Sequence, residues 1–580
     1  MSDLKLHGMR KLAGKIAAAF CSLSILAGSF MPQANAAAYP PLRNTTTGMA
    51  VSTSDLADEV GMKILAEGGN AVDAAVAMGY ALAVTNPKAG NIGGGGFAII
   101  HMADGTDAAL DFREKAPLAA TRDMYLDEKG DVIPDASYVG YKAVGVPGTV
   151  AGMSAMLDKY GTMPLNKLIM PAVELAEKGF VINHHEEMTM LEANPVFNQF
   201  AGSRKYFLKP DGSRYVEGDL FVQKDLGKTL RTIAKEGPDT FYKGKIADLI
   251  AADMAKNGGL ITKEDLAQYN AVWREPVKGT YRGYDIISMC PPSSGGIHVI
   301  QILNIMENAD VKAMGAGSAD KIHLMAEAMR YAYADRSEYL GDPDFVNDMP
   351  IEKLLSKEYA ARIYSKILPD KATPSSEVKP GMLFGEPTHT THYSVVDKDG
   401  NAVSVTYTLN NYYGCGAAVD GAGFLLNDEM DDFSIKAGVP NSFGLVGTDA
   451  NAIEPQKRPL SSMSPTIVTK DGKLFMVVGS PGGSRIITTV TQIISNVIDH
   501  GMNISEAISY PRIHMQWLPD ELRIEKYGLS PDTEAKLKNM GYNLSVQEYM
   551  GDANCIMLDN EHHIFYGAHD PRSQIDYSAI

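Results

Sequence analysis

Two runs that alternate β-branched or aromatic residues with small polar ones stand either side of a short loop late in the chain. The first is Thr390-Thr391-His392-Tyr393-Ser394-Val395-Val396-Asp397, the loop is Lys398-Asp399-Gly400, and the second is Asn401-Ala402-Val403-Ser404-Val405-Thr406-Tyr407-Thr408. This pattern predicts a hairpin with a three-residue turn and a left-handed position at Gly400. If Asp397 faces Asn401, counting back along both strands sets Thr390 opposite Thr408, close enough for one hydroxyl to reach the other. Elsewhere the apolar spacing turns helical. Residues 54–67 read as a helix capped by Ser54 and stopped by Gly68-Gly69, and Asn70 caps a second over 71–84 that Asn86-Pro87 ends. That second helix is apolar on nearly every side, so it is expected to lie buried against a sheet. Strand-like runs at 97–102 and 108–112 follow, then a helix-rich stretch over 150–270. Residues 322–339 form a long amphipathic pattern containing Arg330, Asp335 and Arg336. The segment 371–389, with Pro374, Pro380 and Pro387, reads as an exposed loop running straight into Thr390. Strands are expected at 466–469 and 474–478, and Gly479-Ser480-Pro481-Gly482-Gly483-Ser484-Arg485 opens a helix to residue 499.

Several motifs that invite a chemical reading fail on spacing. Gly90-Asn91-Ile92-Gly93-Gly94-Gly95-Gly96-Phe97 matches neither GxGxxG nor a Walker loop, and no βαβ unit frames it, so tight backbone packing is the better account. Asn183-His184-His185-Glu186-Glu187 lacks the i, i+4 histidine spacing of a metal helix and reads as a solvated first turn. Ser480 lacks the first glycine of a GxSxG elbow, and nothing local activates Cys415.

Length and composition allow a large buried core. At 580 residues, 45% hydrophobic and 21% charged, the chain suits a soluble globular protein of one or two closely packed units. Its first thirty-six residues resemble an export signal: Lys5, Arg10, Lys11 and Lys15 make a basic start, 16–30 is mostly apolar, and Ala34-Asn35-Ala36 fits a cleavage site. A periplasmic or secreted protein, free of the membrane once the signal is removed, is the expectation. The net charge of −17, more negative without that basic segment, repels phosphate backbones and anionic lipid, so no nucleic-acid partner is expected. Cys21 leaves with the signal, and Cys290, Cys415 and Cys555 are too few and too scattered for a disulfide scaffold, which favours buried free thiols.

A threonine hydroxyl is a weak nucleophile unless a base takes its proton, and a threonine at a chain's N-terminus carries that base as its own amine. Thr390 would acquire one if the chain were cut before it. Here the sequence becomes recognisable. Thr390-Thr391-His392-Tyr393-Ser394, Pro459-Leu460-Ser461-Ser462-Met463-Ser464-Pro465, Gly479-Ser480-Pro481-Gly482-Gly483-Ser484 and Asp570-Pro571-Arg572-Ser573, in this order, resemble the γ-glutamyltransferase family of N-terminal-nucleophile hydrolases. The resemblance runs from about residue 50 to the C-terminus, with 70–77, 93–97, 112–114 and 292–296 also in family order.

The resemblance implies an α+β fold, a four-layer αββα sandwich formed jointly by two subunits cut from one precursor. Cleavage between His389 and Thr390 would give a signal (1–36), a large subunit (37–389) and a small catalytic subunit (390–580) that remain together as a heterodimer. It also implies the roles. Thr390 is nucleophile and base, Thr408 assists, and Gly482 and Gly483 donate backbone N–H groups to the oxyanion. Arg113, Ser461 and Ser462 hold a substrate α-carboxylate, while Asn410, Glu429 and Asp432 hold its α-amino group. Substrates would be glutathione and other γ-glutamyl compounds, with water, amino acids or dipeptides as acceptors, and no metal or organic cofactor. The chain departs from the family pattern at Phe443, where a lid tyrosine is common, at Cys415, where Ser or Thr is usual, and at His389 before the cut. Two readings on the same fold, a cephalosporin-type acylase and a polyglutamate depolymerase, are disfavoured by retention of Arg113, Ser461, Ser462 and Asp432. The reading from another class is an uncleaved γ-glutamyl peptide binding protein.

Overall fold

Strands here are buried on both faces, and their alternation says by what. Along Gly95–His101, Phe97 and Ile99 join one core, while Ala98 and Ile100 join another beneath the helix Ala71–Thr85. In the strand Thr391–Asp397, Val396 faces the first core, and Tyr393 and Val395 the second. This period-two division is what a sheet packed between a second sheet and a helical layer requires. The computed structural model describes residues 42–378, 390–436 and 447–572, with 438, 439, 441 and 445 as well. The export signal, His389 and Phe443 lie outside the described residues.

Two antiparallel sheets carry the fold. One is six-stranded, in the order Gly48–Val51, Thr391–Asp397, Ala402–Thr408, Gly95–His101, Asp107–Phe112, Val272–Arg274. The other is seven-stranded: Arg43–Thr45, Ile564–His569, Asn554–Asp559, Lys473–Val478, Thr466–Lys470, Tyr284–Ser288, Val277–Tyr281. They pack face to face, with the helices Ala71–Thr85 and Thr149–Tyr160 over the six-stranded sheet and Gly295–Met306 and Arg485–His500 over the seven-stranded one. The architecture is therefore an α+β, four-layer αββα sandwich. Each sheet interleaves strands from before and after residue 390, and residues Pro41–Ile580 belong to one unit. Among the described residues no helix is long and apolar enough to cross a membrane.

The hairpin has the register that the turn predicts. Thr391 pairs with Tyr407, Asp397 N–H donates to Asn401 O at 3.0 Å, and Gly400 has a φ of 91°. Asn70 caps Ala71–Thr85 with a reciprocal capping box, and every residue of that helix is buried.

Three local expectations need correcting. The helix Ala319–Tyr339 is not amphipathic in use, because helices and sheet enclose it and Arg330, Asp335 and Arg336 are all buried. The described part of the segment before Thr390 is anchored: Ser375 and Val378 are buried, and Trp517 Nε1 donates to their carbonyls at 3.0 and 2.8 Å. His185, in the first turn capped by Asn183, is only partly solvated, and desolvation together with the neighbouring Lys88 charge draws its ring down to about 3.

Candidate active site

Thr390 lies at the head of the strand Thr391–Asp397, and its Oγ1 donates to Thr408 Oγ1 at 3.4 Å across the hairpin. Thr408 is held from two sides. Its Oγ1 accepts the Asn410 N–H at 2.8 Å, its carbonyl accepts Asn91 Nδ2 at 2.8 Å, and Asn91 Oδ1 in turn accepts the Gly94 N–H at 2.8 Å. The glycine run serves this packing, as expected: a Cβ on Gly94 would stand 1.9 Å from the Thr408 carbonyl oxygen. Asn410 turns the chain away from the strand in the left-handed region, at a φ of 76°.

Facing the threonines is the turn before the helix Arg485–His500. Gly482 and Gly483 have φ values of 136° and 54°, which favour glycine, and among the described residues neither N–H donates a hydrogen bond. Two unengaged donors beside the positive end of a sixteen-residue helix offer a place where an anion is favoured.

Arg113 follows the strand Asp107–Phe112, where its N–H donates to Asp111 Oδ1 at 3.0 Å. Its two terminal nitrogens pair with Glu429 and Asp432, which flank the short 3₁₀ turn Glu429–Asp432, and Glu114 lies 3.8 Å away. Burial alone would weaken the guanidinium's hold on its proton, yet Glu429, Asp432 and Glu114 together push its pKa up. The same burial raises the Glu114 carboxyl to about 7 against the pull of Arg113, and raises Glu429 as well, because two apolar-buried carboxyls address one cation. On the other wall, Ser461 Oγ accepts the Met463 N–H at 3.1 Å. The chain at Pro292 to Ser294 fixes that turn: Ser461 N–H donates to Pro292 O at 2.9 Å, and Ser294 N–H donates to Ser461 O at 2.9 Å.

One pocket is lined by Arg113, Thr390, Thr408, Asn410, Glu429, Asp432, Ser461, Ser462 and Gly483, together with Met463, Leu445 and Ile486. Nine residues singled out in the sequence thus converge from six separated segments, and Gly482 adjoins them. Glu114, Asn91 and Arg336 were not singled out. Glu114 had a signal in standing beside Arg113, but its burial and raised pKa needed the fold. Cys290, Cys415 and Cys555 are buried free thiols, and burial pushes Cys290 and Cys555 up to about 12, which leaves them unreactive. Away from the pocket, the loop carrying Glu217 brings a carboxylate to His184 and Glu187, with donor atoms within 4.8 Å of one another.

Comparison with known proteins agrees with this geometry. The family profile described as Gamma-glutamyltranspeptidase matches residues 57–580. The chain is 55% identical over 569 residues to the glutathione hydrolase proenzyme of Escherichia coli strain K12, spanning 96% of this chain and 97% of that one. It is 60% identical to a solved Helicobacter pylori gamma-glutamyltranspeptidase chain, covering 59% of this chain and 98% of that one with a TM-score of 0.58. The cephalosporin acylase of Bacillus halodurans superposes over 94% of this chain and 98% of its own, with a TM-score of 0.81 at 27% identity. With the ordered motifs, the αββα sandwich and the threonine-centred pocket, these likenesses show that the chain belongs to the gamma-glutamyltranspeptidase family of N-terminal-nucleophile hydrolases.

Proposed function

We propose that this chain is a self-processing glutathione hydrolase and γ-glutamyl transferase of the periplasm, exported by residues 1–36 and cut between His389 and Thr390. The observation that carries the reading is the shared pocket, in which a threonine pair, a glycine turn with open N–H groups and an Arg113–Glu429–Asp432 cluster face one another. In processing, Thr390 Oγ attacks the His389 carbonyl, the C–N bond breaks, and water hydrolyses the resulting ester to leave a free amine on Thr390. Fragments 37–389 and 390–580 would stay together, because hydrogen-bonded strand pairs such as Gly48–Val51 with Thr391–Asp397 join them.

In turnover, the Thr390 amine takes the hydroxyl proton as Oγ attacks the γ-carbonyl. The oxyanion is received by Gly482 and Gly483, a contribution of about 3–4 kcal/mol per donor in comparable sites. Collapse expels the amine of cysteinylglycine, which takes the proton from Thr390's ammonium, and leaves a γ-glutamyl ester. Water or an acceptor amine then attacks that ester, giving up its proton to the same base and freeing Thr390. The substrate's zwitterion fits an exchange of partners: its α-carboxylate takes Arg113 with Ser461 and Ser462, while its α-ammonium takes Glu429 and Asp432 with Asn410. An internal ion pair is replaced by two intermolecular ones, so no charge is left unmatched. An acylase acting on uncharged side chains would have no use for this set, and neither would a depolymerase acting within a chain.

Thr390→Ala is expected to remain a single unprocessed chain without activity. N-terminal sequencing of the lighter wild-type fragment should begin Thr-Thr-His-Tyr; any other start, or turnover of glutathione by Thr390→Ala, overturns the reading.

A further inference from the structure

Arg336 is 4% exposed, as buried as Arg113, Arg330, Arg458 and Arg512. Each of those four holds a carboxylate: Glu429, Asp520, Asp111 and Asp570 respectively. Arg336 does not, and among the described residues no carboxylate lies within 4.0 Å of it. Its guanidinium holds only hydroxyls. Nε donates to Ser294 Oγ at 2.9 Å and Nη2 to Ser462 Oγ at 3.1 Å, and Ser294 Oγ passes the contact on to the Ser461 carbonyl at 2.7 Å. Burial draws the guanidinium down to about 10, which still leaves it charged at neutral pH. Asp432, which pairs with Arg113, is the carboxylate whose charge reaches it, and a buried cation with no carboxylate in contact is costly unless a ligand brings one.

The hydroxyl geometry says where that charge would enter. Ser462 Oγ accepts from Arg336 and Ser461 Oγ accepts from the Met463 N–H, so each hydroxyl has its own proton left to donate. Both serines line the pocket that holds Thr390. Arg113, the cation that lines that pocket, must give up Glu429 and Asp432 to take a carboxylate, whereas Arg336, behind Ser462, has no such ion pair to break. From this we infer that Arg336 is a positioning residue for the substrate α-carboxylate: it orients the Ser462 hydroxyl as a donor and supplies positive charge behind the serine pair.

The inference rests on the γ-glutamyl reading above and is tested apart from it. Processed wild type, Arg336→Met, Arg336→Lys, Ser462→Ala and the Arg336→Met/Ser462→Ala double variant are assayed with γ-glutamyl-p-nitroanilide and with 4-aminobutanoyl-p-nitroanilide, which lacks the α-carboxylate. A unit charge about 6 Å away through the hydroxyl, at an effective dielectric near 20, corresponds to a KM about 50- to 100-fold higher for Arg336→Met on the γ-glutamyl substrate, with kcat within a few-fold. The carboxylate-free substrate should distinguish wild type from Arg336→Met by less than about 3-fold, Arg336→Lys should recover much of the loss, and in the Ser462→Ala background the Met substitution should add little. Equal losses on both substrates, or an unchanged KM, overturn the inference. If Arg336→Met fails to process, Arg336→Gln, which keeps a donor and removes the charge, decides: it must raise KM for the γ-glutamyl substrate selectively, and an unchanged ratio between the two substrates counts against Arg336. Wild type inactive on γ-glutamyl-p-nitroanilide refutes the proposed function instead.

Discussion

Replacing Thr408 by valine keeps its shape, β-branching and strand preference while deleting one oxygen. That oxygen has two separable duties. It accepts the Asn410 N–H at 2.8 Å inside the protein, and it receives the Thr390 hydroxyl at 3.4 Å. Asn410 is buried and holds a left-handed turn, so an orphaned N–H there should cost about 1–3 kcal/mol of stability. The contact to Thr390 is longer than an ordinary O–H···O bond, which places its resting contribution at the weak end, although such contacts tighten as the reaction proceeds. A loss of about 1.4 kcal/mol in the transition state corresponds to a 10-fold slower reaction. Thr408→Val is therefore expected to melt earlier, to process about 10-fold more slowly on a denaturing gel, and to turn over γ-glutamyl-p-nitroanilide about 10-fold more slowly. Thr408→Ser, which keeps the oxygen, should stay within about 3-fold of wild type in both rates if the hydroxyl is what matters. The informative failure is a valine variant that melts early yet processes and reacts at wild-type rates. Thr408 would then be a structural cap for Asn410 with no part in the chemistry.

Burial raises the Glu114 carboxyl from 4.5 to about 7, so the folded state keeps a proton that the unfolded chain releases between these values. Its contribution to stability is whole below pH 4.5 and falls as pH rises to about 7, by on the order of 3 kcal/mol. Glu114→Gln, which mimics the protonated form, should gain melting temperature relative to wild type from pH 5 to pH 8 and then level off, and a difference that ignores pH would refute the raised carboxyl. Gly94→Ala drives a methyl group to 1.9 Å from the Thr408 carbonyl oxygen and is expected to cost at least about 1–3 kcal/mol and to abolish processing, read as soluble yield and fragment pattern on a gel. Wild-type processing in that variant would show that the glycine run does not set the position of Thr408.

What the sequence determined by itself is whatever local geometry enforces. The Thr390–Thr408 juxtaposition follows from a turn of fixed length and a side-chain period of two, so it needed no knowledge of the rest of the chain. The burial of Ala71–Thr85 follows from an apolar surface on every side, and the packing role of the glycine run from the absence of any motif spacing that would bind a phosphate. The family motifs, read in order, supplied the remaining pocket residues, which lie up to 370 positions apart between Arg113 and Gly483. The state of those residues was decided only by tertiary structure. Arg113 is expected from the family motifs to hold a substrate carboxylate, yet it is paired with Glu429 and Asp432, which the chain places more than three hundred residues later. Arg336 and Glu114 look like ordinary charges on a helix and at a strand end. Burial removes water from around them, drawing the guanidinium down and pushing the carboxyl up. Desolvation depends on everything that surrounds a group, and a sequence specifies only its neighbours along the chain.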